Sequence, residues 1–481
     1  MTLKTEVLII GGGIGGLSIA WELSKYEVDV ILVEKEADVG WGQTKASYAI
    51  RHPGARWAPG TLVQQMIAES NQMMDRILED LDIEFKRSGE LVLAFSQEEL
   101  KALKTIKKQG ENARVKGLEI IGSAEIKRLE PNVNPAAIAA LHMPTAGLFN
   151  PFELVTAFYE NARENGVNMR IGTEVTGIIP ERGKFIVETD SGEIQAASIV
   201  NAGGLFAGRI AKMVGDNGFK IKHDTKGSCL ILDTLLANMV QHIVTGLVDA
   251  KALLRFKLVT PTFHEKILLY TSFPEPAKGI EDRSMAKRIF DLTIESARTL
   301  IPDIDYEKYV IASFSGLTAR NDRGDSVIEV SKKYPMFIHV ALLPPGLTCS
   351  PAVGRRVVAL LKQGGLARRE KTTFNPYRKA IRSFRRSTPA QLGELVRQDP
   401  RYGRVVCRCE RVTEGEIVEA IRRGATTLDG IKFRTRAGMG RCQANYCGPE
   451  VANILASEQN QPLERVTKKG RGSCYIGHKE S

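Results

Sequence analysis

The stretch EVLIIGGGIGGLSIAWEL, from Glu6 to Leu23, decides the fold of the first part of this chain. Its apolar, β-branched start is typical of a buried parallel strand. The glycines that follow fit the pattern G-x-G-x-x-G, in which small residues permit a tight turn, a close approach of pyrophosphate and close packing of the next helix. The stretch therefore predicts a dinucleotide cradle. Its predicted cofactor contacts are Gly11, Gly13, Ile14, Gly15 and Gly16.

A second apolar run, VDVILVEK, reads as the next strand and ends in Glu34. An acid about 20 residues after the glycines suits a ribose 2′-hydroxyl. The same carboxylate would repel the extra phosphate of NADP, because both groups are anionic. The cradle is therefore predicted to hold NAD or FAD, with Glu34 and Lys35 beside the cofactor.

The later segments resemble FAD-dependent oxidoreductases of the D-amino-acid oxidase superfamily, among them glycerol-3-phosphate and L-2-hydroxyglutarate dehydrogenases. The resemblance is carried in order by KEADVGWGQTKASYAIRHPG, MRIGTEVTGI, ASIVNAGG and LLPPGLTCSPAVGRRVVALL. It implies that the cofactor is FAD. It also implies further cofactor contacts at Gln43, Thr44, Lys45, Ala46, Ser47, Val175, Asn201, Ala202, Gly203, Gly316, Gly346, Leu347 and Thr348.

Four of the seven cysteines form the pattern C-x-C-x32-C-x4-C late in the chain. Two close pairs that converge from a distance suit a four-thiolate site, and either zinc or an iron–sulfur cluster would satisfy it. The surrounding CRCERVTEGEI…RTRAGMGRCQANYC resembles the bacterioferritin-associated ferredoxin domain. That resemblance implies a [2Fe-2S] cluster with Cys407, Cys409, Cys442 and Cys447 as ligands. The other cysteines, Cys229, Cys349 and Cys474, are predicted to stay outside the site.

These motifs are spread along the chain, so the FAD-binding domain must be assembled from separate segments. We predict a Rossmann-like α/β FAD-binding domain from residues 1–81, 149–214 and 326–375, interleaved with a substrate domain of residues 82–148 and 215–325. Alternating runs such as GELVLAF and KILLYTSF predict an antiparallel sheet in the substrate domain. A basic linker (376–403), a small helical iron–sulfur domain (404–458) with a helix that begins at Thr413, and a basic tail (459–481) complete the prediction.

Composition and charge limit the partners of the chain. Its 481 residues are 43% hydrophobic and 26% charged, as in ordinary globular proteins. No apolar run reaches the ~18 residues of a membrane span, and no signal peptide precedes the glycine stretch. We therefore expect a cytoplasmic protein whose association with the inner face of the membrane, where it occurs, is peripheral and runs through a partner.

The net charge is +11, and part of the excess lies in residues 376–404 and in the tail. One interpretation is a solvated linker and tail, and the other is a docking surface for an acidic partner or for anionic lipids. Nucleic acid is not expected, because no aromatic side chains interleave with these charges.

The two cofactors together predict a dehydrogenase. A flavin takes two electrons as a hydride, whereas a cluster accepts one at a time. Such a pair suits an enzyme that delivers electrons to a protein or quinone-linked acceptor, and neither an oxidase nor an NAD-linked enzyme needs it. The resemblance implies a small anionic secondary alcohol as substrate, either glycerol 3-phosphate or an L-2-hydroxy acid.

The predicted catalytic residues are His52, Arg320 and Lys226. His52 stands at the family's histidine and would take the hydroxyl proton, although a purely structural hydrogen bond remains the alternative. The family's anion-binding arginine is replaced by Thr318, and the family's KANS reads KASY here. The candidate replacement cations are Arg51, Arg56, Lys226 and Arg320.

Two other functions stay open at this point. The first is an amino- or imino-acid dehydrogenase, which needs no base for a hydroxyl proton. The second is an electron-relay subunit of a larger complex, which would turn over no small molecule.

Overall fold

The computed structural model describes residues 2–248, 256–275, 277–366 and 368–477. Its strands are β1 Leu3–Ile10, β2 Val30–Glu34, β3 Ile50–Arg51, β4 Phe85–Arg87, β5 Glu90–Ala94, β6 Glu119–Gly122, β7 Ala139–Met143, β8 Gly147–Phe149, β9 Asn168–Ile171, β10 Val175–Glu181, β11 Lys184–Thr189, β12 Gly192–Asn201, β13 Ile221–Lys222, β14 Thr225–Leu232, β15 Ile243–Gly246, β16 Phe256–Pro261, β17 Ile267–Pro274, β18 Val310–Leu317, β19 Arg320–Asn321, β20 Val327–Val330, β21 Phe337–Ala341, β22 Val405–Cys407 and β23 Val412–Thr413.

The helices of the described residues are α1 Ile14–Leu23, α2 Leu62–Asp80, α3 Gln97–Asn112, α4 Ser123–Leu129, α5 Pro151–Glu164, α6 Ala207–Met213, α7 Lys287–Arg298, α8 Tyr306–Tyr309, α9 Gly346–Gln363, α10 Pro389–Gln398, α11 Glu414–Arg422, α12 Leu428–Thr435 and α13 Gly448–Glu458. A short 3₁₀ turn covers Gln43–Ala46. Within the described ranges, no helix combines the length and the apolar character that a membrane crossing requires.

The first sheet has the order β10-β11-β12-β1-β2-β9, and β21 joins it beside β12 with β20 at its edge. β1 runs parallel to both β2 and β12, and β12 runs parallel to β21. Helices α1, α5 and α9 pack together over this sheet in one apolar core. The predicted strand–glycine–helix unit is therefore confirmed, and its partner strands come from distant parts of the sequence.

The second sheet has the order β18-β14-β17-β16-β15-β5-β7-β6. Helix α7 covers it through Ile294 and Ala297, which share a core with Leu230 and Leu269. The sheet is antiparallel as expected except at one pair, because β15 runs parallel to β5. These two strands come from the two separate segments of the substrate domain and enter the sheet in the same direction.

The thiol-bearing region has its own apolar core. The hairpin β22–β23 and helices α11, α12 and α13 enclose Ile417, Ile431 and Leu455. The predicted helix start is confirmed, since the Thr413 side chain and Glu416 form a capping box. Val466 is fully buried in the same core, so the predicted tail contributes to the domain. Residues 478–481 lie outside the described residues.

The predicted basic linker is largely fixed to the folded domains. Arg378 is 8% exposed and donates to Glu160 at 2.6 Å, while Arg386 pairs with Glu84. The helix α10 occupies its middle. The interpretation of a wholly solvated linker is therefore wrong for these arginines, because buried and half-buried carboxylates hold them.

Candidate functional site

A cleft opens where the carboxyl ends of β1, β2 and β12 face the second sheet, the usual ligand position in an open α/β sheet. The predicted cofactor residues that line it are Gly11, Gly13, Ile14, Gly15, Glu34, Lys35, Gln43, Thr44, Lys45, Ala46, Ser47, Val175, Ala202, Gly203, Gly316, Gly346 and Leu347. The structure thus brings together, in one cleft, residues that lie far apart in the sequence.

Glycine is required at the turn for two different reasons. Gly11 has φ +113°, and a Cβ on it would lie 2.5 Å from the Ala202 carbonyl oxygen. A Cβ on Gly16 would lie 1.9 Å from the Gly11 oxygen, so Gly16 serves helix packing. At Gly13 the nearest atom to such a Cβ is Thr44 Oγ1 at 3.4 Å. A side chain there would fill the cleft, so this cradle fits a bound pyrophosphate.

Glu34 is fixed at the end of β2 by two backbone donors. Its Oε2 accepts from the Gly12 N–H at 2.6 Å, and its Oε1 accepts from the Glu36 N–H at 2.9 Å. Burial raises the pKa of this carboxyl, against the lowering effect of those donors. The carboxylate is therefore oriented before a ligand arrives, as a ribose-binding acid requires.

Two predicted contacts support the cleft from behind. Thr348 Oγ1 donates to the Ile50 carbonyl at 3.1 Å and accepts from the His52 N–H at 3.2 Å. Asn201 Nδ2 donates to the Ala207 carbonyl at 2.8 Å. Neither side chain lines the cleft. Both instead fix the backbone on which cleft residues stand.

His52 is a buried imidazole with no hydrogen-bond partner for either ring nitrogen among the described residues. Its ring lies edge-on to Tyr48 and Trp57, with centroids 5.7 and 4.9 Å away. Burial, helped by the nearby Arg56 charge, lowers the pKa of His52 to about 3. The ring is therefore neutral at ordinary pH and has a free lone pair.

His52 does not itself line the cleft, but it lies beside an aromatic wall of the cleft that the sequence did not identify. Tyr48 and Tyr270 both line the cleft, their rings are 4.6 Å apart, and Phe256 stacks on Tyr48 at 5.9 Å. Burial raises the pKa of both phenols, so they stay protonated. The signal was present in KASY and in the alternation of KILLYTSF, where Tyr270 falls on the cleft-facing side.

The structure does not bring two of the predicted catalytic cations into the cleft wall. Lys226 is 1% exposed, and its Nζ donates to Asp282 Oδ2 at 2.8 Å. Arg320 is half-buried and donates to Thr225 Oγ1 at 3.2 Å. Lys226 instead holds Asp282, a cleft residue, in place.

Arg56 does not line the cleft either, but its charge lies near His52. Its Nη1 lies 3.1 Å from both Glu90 Oε1 and Thr245 Oγ1, and its guanidinium lies 4.9 Å from the Phe256 ring centroid. Arg51, by contrast, is held on α2 by Asp75 and Asn71. Arg56 therefore puts a cation behind the aromatic wall, near His52.

The thiol-bearing domain touches the cofactor loop directly. The Lys45 ammonium lies 5.1 Å from the Trp41 ring and 6.0 Å from the ring of Phe433 on α12. Arg434 donates to Asp38 Oδ1 at 2.9 Å. Burial lowers the pKa of Lys45 to about 8. The loop at the cleft and α12 thus pack as one unit.

The four cysteines of the motif lie in two pairs. Cys409 Sγ is 3.8 Å from Cys442 Sγ, and a hydrogen bond with Cys447 lowers the pKa of Cys407 to about 6. In the described residues, no three cysteine, histidine or carboxylate side chains converge as a ready-made single-metal site. Two pairs of thiols supply the four thiolates of a two-iron cluster, so the donor set fits that group.

Ion pairs fasten the cysteine loops to the second sheet. Glu410, which follows Cys409, accepts from Arg436 Nε at 2.9 Å and pairs with the buried Lys266. Arg441 donates to Asp233 at 2.6 and 3.0 Å. Asp233 follows β14, whose other end carries the cleft residue Gly227. The thiols and the cleft therefore lie toward opposite ends of β14.

Fold and site together define a flavin-dependent oxidoreductase with an appended thiolate cluster domain. The profile of the FAD dependent oxidoreductase family matches residues 6–360, and that of the BFD-like [2Fe-2S] binding domain matches residues 405–457. The chain belongs to the FAD dependent oxidoreductase family. The predicted fold class, enzyme class and cofactors, FAD and a [2Fe-2S] cluster, are confirmed.

Two similar proteins align with nearly the whole chain, and a solved structure aligns with most of it. A glycerol 3-phosphate dehydrogenase of Caloramator mitchellensis is 38% identical over 477 residues, 98% of both chains. An anaerobic glycerol-3-phosphate dehydrogenase subunit of Escherichia coli K12 is 27% identical, over 94% of this chain and 88% of its own. The FAD-bound L-α-glycerophosphate oxidase of Mycoplasma pneumoniae aligns with a TM-score of 0.72 at 22% identity, over 78% of this chain and 98% of its own, which shows a shared fold.

Proposed function

We propose that this enzyme oxidises glycerol 3-phosphate at its secondary alcohol and passes the electrons to a protein acceptor. The observation that carries the proposal is the neutral, unpartnered imidazole of His52 behind the aromatic wall of the cleft. The similarity to a glycerol 3-phosphate dehydrogenase over 98% of the chain supports this choice of substrate.

His52 is proposed as the base. Because its ring is neutral, a nitrogen lone pair is free to take the proton of the substrate hydroxyl. FAD bound in the cleft supplies the hydride acceptor. The half-buried Tyr48 and the buried Tyr270 are proposed to exclude water from the reacting carbon and to keep their own protons.

Arg56 is proposed as the cation that binds the phosphate. Its guanidinium keeps donors beyond the single Nη1 that contacts Glu90 and Thr245. Lys226, neutralised by Asp282, is proposed to position the cleft segment at Asp282, and Arg320 to position β14 through Thr225. These two roles replace the direct catalytic roles that the sequence suggested for both residues.

Electron delivery is proposed to need a partner. The similar Escherichia coli protein is named as a subunit, which supports a partner subunit here. We propose that the partner or acceptor protein receives electrons from the [2Fe-2S] domain. We further propose a cytoplasmic enzyme whose contact with the membrane is peripheral and runs through that partner.

The test is an anaerobic absorbance spectrum of the FAD- and cluster-loaded enzyme before and after addition of glycerol 3-phosphate. Bleaching of the flavin band within seconds, followed by loss of cluster absorbance, is expected. If the flavin stays oxidised with glycerol 3-phosphate but bleaches with L-2-hydroxyglutarate or L-proline, glycerol 3-phosphate is not the substrate. Thr318, in place of the family's arginine, is the observation that favours this second candidate.

A further inference from the structure

The two cysteine-bearing loops, residues 407–411 and 438–447, expose a face that carries positive charge. We call it the cluster face, defined by Arg408, Cys409, Arg411, Arg441 and Tyr446, all exposed. The one acid of these loops, Glu410, is only 4% exposed and is neutralised by Lys266 and Arg436. The face therefore offers the guanidinium groups of Arg408 and Arg411 and no exposed carboxylate, while the guanidinium of Arg441 is paired with Asp233.

Two arginines of this face lack the carboxylate partners that hold the buried and half-buried arginines of the linker. In the linker, Arg378 pairs with Glu160 and Arg386 with Glu84. Among the described residues, Arg408 and Arg411 have no carboxylate within ion-pairing distance. The unpaired positive charge of Arg408 and Arg411 next to the thiols is thus accessible to a partner protein.

An exposed aromatic ring accompanies that charge. Tyr446 is 87% exposed, and it directly precedes Cys447. An isolated aromatic side chain in this state gains nothing from the fold, because its ring packs against no core. Tyrosine and arginine are the side chains that most often anchor protein interfaces.

The cluster face is attached at the end of β14 opposite the flavin cleft. Along β14 and its end, Asp233, which binds Arg441, lies six positions after Gly227 in the cleft wall. At about 3.3 Å a residue these two positions lie roughly 20 Å apart. Cys409 is exposed at this outer end, 3.8 Å from Cys442. An acceptor that docks here approaches the thiols without obstructing the cleft.

We propose that the cluster face is the docking surface for an electron-acceptor protein whose own redox centre is surrounded by carboxylates. The arginines steer that protein by charge, and Tyr446 anchors it by packing. The proposal rests on the proposed function for the direction of electron flow. Oxidation of one alcohol releases two electrons and two protons, so a one-electron acceptor docks twice per turnover and the protons go to solvent.

The test measures binding of the oxidised, cluster-loaded enzyme to flavodoxin, an acidic one-electron carrier, at low and at physiological ionic strength. Arg408→Glu/Arg411→Glu is expected to weaken binding at least about tenfold at low salt and to flatten the salt dependence. Tyr446→Ala is expected to weaken it about tenfold at both salt concentrations, whereas Tyr446→Phe keeps the ring and the affinity.

The matched control is Arg76→Glu/Arg128→Glu, which makes the same change in net charge at exposed helical sites far from the thiols. It should leave the affinity unchanged. Equal weakening by both double variants, or absence of salt-dependent binding by the unmodified enzyme, overturns the proposal. Unchanged cluster absorbance shows that each variant has folded. Because no substrate is present, these results are independent of whether glycerol 3-phosphate bleaches the flavin.

Discussion

The two ends of β14 differ in how completely the polar side chains around them are paired. At the cleft end, the Lys226–Asp282 ion pair lies beside a cleft with aromatic rings in its wall, and His52 leaves both ring nitrogens unpaired. At the thiol end, Glu410, Lys266, Arg436 and Arg441 are joined in ion pairs. Unpaired polar groups cost free energy unless a ligand completes them, whereas saturated ion pairs hold structure. The comparison therefore assigns ligand binding to the cleft end and the attachment of the thiol-bearing domain to the thiol end.

The sharpest test of the thiol end is Cys409→Ser. Loss of one of four thiolates should abolish the cluster, since serine is a poor iron ligand at neutral pH. Acceptor-linked turnover should fall at least about 100-fold, while anaerobic bleaching of the flavin by substrate continues. Iron content and the visible spectrum are the measurements. Cys474→Ser, at an exposed cysteine outside the motif, should keep both, and a cluster that survives in Cys409→Ser contradicts the ligand set.

The cleft end is tested by His52→Gln against His264→Gln. Both histidines are buried with at least one unpartnered ring nitrogen, but His264 lies at the thiol end. Removal of the base should slow flavin reduction by glycerol 3-phosphate about 10²- to 10⁴-fold, whereas His264→Gln should leave it unchanged. The rate of flavin reduction is measured by anaerobic stopped-flow spectroscopy on variants with the same FAD content. Equal rates in the two variants would show that His52 has no chemical role.

The ion pairs of the thiol end predict a stability effect. Glu410→Gln leaves the buried ammonium of Lys266 without its carboxylate partner, which costs about 3–5 kcal/mol. Loss of cluster absorbance during urea titration measures this change. Asp291→Asn, which removes an exposed partner of Lys287, should cost less than about 1 kcal/mol. Similar midpoints for both variants would mean that Glu410 does not fasten the loop.

The smallest effect concerns acid stability. Below about pH 6.5 an unfolded chain protonates its histidines, whereas burial keeps the pKa of His52 at about 3 in the folded state. Between roughly pH 6 and 4, the unfolded state therefore binds one more proton at this histidine than the folded state does. Because of this group, the free energy of unfolding falls by about 1.4 kcal/mol for each unit by which the pH is lowered. Denaturant unfolding of wild type and His52→Gln should show a shallower acid decline in the variant, and parallel curves would refute the buried neutral ring.

Sequence reasoning succeeded where the signal was local. The glycines of the cradle, Glu34 and the capping box at Thr413 depend on neighbours within a few turns of chain. It missed the aromatic wall, because Tyr48 and Tyr270 meet only when two domains interleave. It also gave no sign that Lys226 pairs with Asp282, 56 residues later along the chain.

Because the flavin domain is interleaved, the ribosome synthesises its parts at widely separated times. Its cleft needs both Gly11 and Gly346, which lie far apart along the chain. At about 5–20 residues per second, a ribosome takes roughly 20–70 seconds to synthesise the segment between them. During that time the glycine turn lacks the cleft residues around Gly346. The strand β12, which pairs with β1, and the strand β21, which pairs with β12, are synthesised later than β1. The thiol domain is a single contiguous segment with its own apolar core, and it follows the flavin domain along the chain. Flavin insertion therefore waits until Gly346 has been made, whereas the four motif cysteines all lie within one contiguous segment.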